Sequence, residues 1–163
     1  MPERLPIKTF SHVCIRVSSM SRSLAFYREV LDFDVVFDVE LAGEALAQVT
    51  GEAGAHGRMV GGLLGGTTVE LLEISSDAER PQQRSATGSL GYTNISLSVV
   101  DLDAVRGTAV SMDLAPGPIV DIAGVRMFFL ADPDGTPIEI IEYPNGARTS
   151  TEMWRGPNAN RTP

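Results

Sequence analysis

Two carboxylates recur at the same place in two copies of one phrase. Residues 67–74 (TTVELLEI) and 136–143 (TPIEIIEY) share Thr-x-aliphatic-Glu-aliphatic-aliphatic-Glu, so Glu70 matches Glu139 and Glu73 matches Glu142. A carboxylate can ligate a cation, move a proton, or sit hydrogen-bonded at a cavity rim. In an extended chain, residues three apart point to opposite faces. Glu73 and Glu142 are expected in solvent, and an inward-facing Glu70 or Glu139 would need a partner to offset its burial. The chain has two histidines, His12 and His56. His12 stands in SHVCIRV, opposite the aliphatic Val13, Ile15 and Val17. An imidazole there is either a satisfied polar residue on a strand or a ligand. His56 stands in GEAGAHG, a Gly/Ala-rich stretch read as a loop near the mouth of a site. It is a candidate acid/base near neutral pH, though an ordinary loop residue is the better reading. No helix start with a phosphate motif follows these glycines, so they are not read as a phosphate cradle.

The elements that must hold these residues come in two similar sets. SHVCIRVSSMSRSLAFYREVLDF reads as strand, turn and helix: Val13, Ile15 and Val17 alternate with His12, Cys14 and Arg16. Met20, Leu24, Tyr27 and Leu31 then recur at helical spacing, with Ser19 or Ser21 as the cap. YTNISLSVVDLDAVRGTAVSMDL repeats the plan, with Ile95, Leu97 and Val99 alternating against Asn94, Ser96 and Ser98. Leu102, Val105, Ala109 and Met112 make its helical stripe, capped by Asp101. Strand-like runs at Arg58–Leu64 and Val125–Leu130 precede the two endings, separated from them by LGG and by Asp132-Pro133-Asp134-Gly135, a type I turn sequence. Each half therefore reads as strand, helix and three strands. The first module is expected over 8–74, a polar linker over 75–90, a second module over 91–144 and a tail over 145–163, all in one domain. The end of the tail reads as mobile, but Trp154 suggests that part of it folds back on the domain or onto a partner subunit.

A duplicated βαβββ unit with the words SHVCIRV, AFYREVL, VELLEI and FFLADPDGTPIEIIE in order resembles the vicinal-oxygen-chelate superfamily over about residues 8–144. The resemblance implies an α+β fold, two tandem βαβββ modules in a cupped, half-open mixed sheet. It also implies one metal ligand from the first and one from the last strand of each half. Carried over position by position, these are His12 and Glu70, then Asn94 and Glu139. One imidazole and two carboxylates suit a divalent ion (Ni, Co, Zn, Mn or Fe). Glu70 or Glu139 would move a proton, and Asn94 would be a weak fourth ligand or a hydrogen-bonding partner. Family enzymes often have His where Asn94 stands; its absence argues against extradiol dioxygenases and fosfomycin-type thiol transferases. The implied activity is isomerase, epimerase or lyase chemistry next to a carbonyl, like glyoxalase I or methylmalonyl-CoA epimerase. The alternative is a metal-free drug-binding protein of the bleomycin-resistance type.

Arg16, Arg58 and Arg126 are candidates to hold an anionic group of the substrate, against an ordinary reading as surface arginines. Phe128, Phe129, Met59 and Met127 are core by default, with one parity set lining an apolar pocket. Cys14, the one cysteine, rules out an internal disulfide, fits a reducing cytoplasm and reads as core or cavity lining rather than a nucleophile. The net charge of -8 with no basic run argues against nucleic acid and anionic membranes as partners. No stretch is apolar enough to span a bilayer, and MPERLPIKTF lacks a signal-peptide core. The expected partner is a small-molecule substrate, with a homodimer as the family habit.

Overall fold

The computed structural model describes residues 5–75 and 94–155. The chain divides between Gln82 and Gln83 into two compact units. In the first, β1 (Val13–Arg16), α1 (Met20–Leu31), β2 (Asp34–Ala42), α2 (Glu44–Thr50), β3 (His56–Leu64) and β4 (Thr67–Ser75) follow one another. The four strands form one sheet in the order β1-β4-β3-β2, with β1 parallel to β4 and the other pairs antiparallel. In the second unit β5 (Ile95–Ser98), α3 (Leu102–Ser111), β6 (Val120–Ile122), β7 (Val125–Ala131) and β8 (Pro137–Glu142) repeat the plan. Their order is β5-β8-β7-β6, again with only the first pair parallel. Both units are thus βαβββ in an α+β chain, the first carrying the extra short helix α2. A single 3-10 turn and α4 (Ser150–Arg155) follow β8. Trp154 on α4 is 66% exposed, so it does not fold back into a core. Nearly all of the expected 75–90 linker, and the last eight residues of the tail, lie outside the described residues.

Strand alternation explains each core. On the helix side of the first sheet, Ile15, Val17, Val60, Leu64, Val69 and Leu71 are buried against Met20 and Tyr27 of α1. Tyr27 meets Phe33 edge-on, ring centres 6.3 Å apart. The buried stripe of α1 runs Met20, Ser23, Tyr27, so Leu24 and Leu31 sit half-buried at its edges rather than at its centre. In the second unit Phe128, Leu130, Ile138 and Ile140 pack beneath Leu102 and Ala109. The GEAGAHG stretch is only partly loop: α2 ends at Gly51 in the left-handed region (φ 72°), and His56 and Gly57 already belong to β3. The turn before β8 is closed by the Gly135 N–H on the Asp132 carbonyl at 2.9 Å. The Asp132 carboxylate accepts the Asp134 and Thr136 N–H groups at 2.9 and 2.7 Å.

The second glutamate of each repeat is not solvated. Glu73 accepts the N–H of Met20, the first residue of α1, and Glu142 accepts that of Leu102, the first of α3, at 2.7 Å. Each helix start leaves N–H groups unpaired and carries partial positive charge, and the last strand brings a carboxylate to it. Ser19 therefore does not cap α1 with its side chain, whereas Asp101 does cap α3, accepting from Ala104 at 2.9 Å. Glu142→Ala is expected to lower the unfolding free energy by about 1–2 kcal/mol. Glu142→Gln should cost less, since an amide oxygen still accepts the Leu102 N–H. Urea midpoints at unchanged slope measure both.

Candidate metal centre

His12 lies one residue before β1, on the face of the first sheet that turns away from α1. Cys14 and Arg16 follow it on that face, while Ile15 and Val17 point into the core. Parallel pairing sets Cys14 beside Glu70 and Arg16 beside Leu72. This register carries the Glu70 carboxylate to within 3.4 Å of His12, Oε2 to Nε2. Two donors on one cation, each about 2.0–2.2 Å from it, lie roughly 3.0–3.5 Å apart, so the pair has the spacing of two ligands. The other imidazole nitrogen, Nδ1, is 3.0 Å from the Ser11 hydroxyl. A proton placed on Nδ1 and donated to Ser11 leaves Nε2 with a lone pair directed at Glu70. Glu70 is 14% exposed and His12 39%, so the pair is open on the imidazole side. Among the described residues no three His, Cys, Asp or Glu side chains converge on one point. Among the described residues of its own unit, no third donor joins the His12–Glu70 pair.

The second unit repeats the register position for position, with Asn94 where the first has His12. Ser96 pairs with Glu139 as Cys14 pairs with Glu70, and Asn94 precedes Ser96 by two as His12 precedes Cys14. Asn94 and Glu139 are both half-buried. The equivalence read from the sequence endings is thus also an equivalence of strand register.

The three arginines separate. Arg16 shares the face of His12 and Glu70; its guanidinium donates to the Ile74 carbonyl at 3.4 Å and lies 3.8 Å from Glu52. Arg58 and Arg126 do not share the donor faces. Arg58 pairs in register with Glu73 and Arg126 with Glu142, on the helix sides of their sheets. Arg58 grips Asp38 with two bonds of 2.8 and 2.6 Å, which holds the Asp38 carboxyl below its ordinary range. Arg126 bonds Asp103 at 2.8 Å and Glu142 at 3.5 Å. Both flank the glutamates that cap α1 and α3, on the faces opposite Glu70 and Glu139. His56 is also on the helix side, 3.3 Å from the Gly54 carbonyl. Cys14 is solvent-exposed rather than core, and partial burial and the adjacent Glu70 carboxylate push its thiol up.

Nothing in the sequence marks Glu52 as a buried neighbour of Arg16. Its side chain is 2% exposed, next to the Arg16 guanidinium, in the turn between α2 and β3. Glycine and alanine surround it, and no periodic pattern marks which way it points.

Comparison with known proteins agrees with this architecture. The profile of the Glyoxalase/Bleomycin resistance protein/Dioxygenase superfamily matches residues 9–140. The uncharacterised protein YaeR of Escherichia coli K12 is 29% identical over 140 residues, covering 85% of this chain and 98% of that one. A glyoxalase family protein of Bacillus cereus superposes with a TM-score of 0.72 at 19% identity, covering 87% and 97% of the two chains. Lactoylglutathione lyase of Agrobacterium tumefaciens gives 0.56 at 17% identity, covering 85% and 96%.

Proposed function

Because the chain belongs to the Glyoxalase/Bleomycin resistance protein/Dioxygenase superfamily, we propose that it is a divalent-metal-dependent isomerase, epimerase or lyase that moves a proton next to a carbonyl. The observation that carries this is the His12–Glu70 pair at 3.4 Å, whose strand register is repeated by Asn94 and Glu139. His12, Glu70 and Glu139 are the proposed ligands, whether drawn from one chain or from two copies. A bound Ni, Co, Zn, Mn or Fe ion would supply Lewis acidity, stabilising negative charge on two neighbouring substrate oxygens. Ser11, 3.0 Å from Nδ1, orients the imidazole and can accept the Nδ1 proton when Nε2 ligates. One of the two carboxylates accepts the proton from the carbon beside the carbonyl and returns it, at the same or the neighbouring position. Asn94 hydrogen-bonds a substrate oxygen, and Arg16 receives an anionic group further along the strand. The protein acts as a cytoplasmic homodimer on a small molecule.

Deuterium exchange into glutathione hemithioacetals and 2-substituted acyl thioesters tests the reading. Metal-loaded protein should exchange the carbon-bound proton, and Glu70→Gln or Glu139→Gln should slow one of these exchanges by about 100-fold or more. Loaded wild type that exchanges no faster than free metal, yet binds cationic aromatic drugs, would favour the metal-free resistance reading instead.

A further inference from the structure

One row of side chains crosses the donor face of the first sheet. Register places Cys14 on β1, Glu70 on β4, Gly61 on β3 and Phe37 on β2 side by side in that order. Gly61 has no side chain to fill its place, and Phe37 fills it from the edge strand. A Cβ built on Gly61 would lie 2.1 Å from Phe37 Cζ, and 2.2 and 2.9 Å from the two Cε atoms. The tip of the ring therefore rests on the Gly61 backbone, pointing across β3 toward the strand that carries Glu70. Shielding a strand glycine is a structural use of such a ring. The second unit indicates more than that. There Phe129 itself occupies the register position beside Glu139 and is 42% exposed. Each repeated glutamate thus has an aromatic ring in its row, reached by two different routes. The cation on the first face, Arg16, stands one row away, opposite Leu72.

We propose that Phe37, seated over Gly61, is a specificity-determining residue that receives an apolar, flat substituent on the carbon next to the chelating oxygens of the substrate. This rests on the metal-site reading above and names the substrate class for it: compounds with vicinal oxygens bearing an aryl or similarly apolar group. An aromatic face offers such a group both area to bury and a favourable ring geometry. Any side chain at position 61 would drive the ring off its seat.

Two hydroxamates that chelate through the same pair of oxygens, one carrying methyl and one phenyl, test this on the cobalt-loaded full chain. Wild type is expected to bind benzohydroxamate about tenfold or more tightly than acetohydroxamate, read from the cobalt visible bands. Phe37→Ala should bring that ratio close to unity while cobalt content and acetohydroxamate affinity stay unchanged, and Phe37→Leu should restore part of it. Gly61→Ala should reduce the ratio as well; if that variant does not fold, the two Phe37 variants decide. A wild-type ratio near unity, or a ratio unchanged in Phe37→Ala, overturns the proposal and leaves the metal reading standing. A wild type that binds no cobalt overturns both.

Discussion

Phe128→Ala should lower the unfolding free energy by about 3–5 kcal/mol, while Phe129→Ala, one residue on, should cost clearly less, about 1–2 kcal/mol. The two side chains leave β7 on opposite faces. Phe128 is fully buried among Leu130, Ile138 and Ile140, and its removal leaves a cavity that a sheet packed under a helix cannot close. Phe129 stands 42% exposed beside Glu139, where truncation removes less packed surface and leaves no enclosed cavity. Chemical denaturation of the two variants measures the difference. The contrast matters beyond stability because the same parity assigns Glu139 to the exposed face of β8. Equal losses would mean that the donor face has been misassigned, and the candidate ligands with it.

His12→Ala should weaken divalent-metal binding by roughly 100-fold or more, since even residues behind a ligand typically contribute tenfold to 100-fold. Glu139→Ala should do the same. The His12 effect follows from the 3.4 Å approach of Nε2 to the Glu70 carboxylate, which leaves a carboxylate without its neighbouring donor once the imidazole is gone. Ser11→Ala should cost about tenfold, through loss of the hydroxyl 3.0 Å from Nδ1 that orients the imidazole. Arg58→Ala and Arg126→Ala should leave metal affinity unchanged, because both lie on the helix sides of their sheets. Titration calorimetry with one metal across this series separates donors from bystanders.

Much of this was legible in the sequence because the chain states its plan twice. The alternation around His12 and around Asn94 gives the first strand of each unit, and VELLE and IEIIE give the last. The pairing of Glu70 with Glu139 follows from those phrases alone. What escaped was whatever depends on a contact between elements. Parity separates Glu73 from Glu70, but not that a helix start lies above Glu73 to be capped. Arg58 falls in HGRMVGGLL, where apolar residues occupy both faces (Val60 and Leu64 inward, Met59 and Leu63 on the other side), so no alternation marks its direction. Phe37 and Glu52 carry no repeated counterpart, and their places follow only from the pairing of β2 with β3 and the turn after α2.

His12, Glu70 and Glu139 are the proposed ligands of one metal ion. Elemental analysis of wild type and His12→Ala, each stripped, reloaded with a divalent ion and dialysed free of excess, tests this most directly. One tightly held ion per wild-type chain and essentially none in the variant is the expected result. A wild type that retains no Ni, Co, Zn, Mn or Fe, or a variant that retains as much as the wild type, would contradict it.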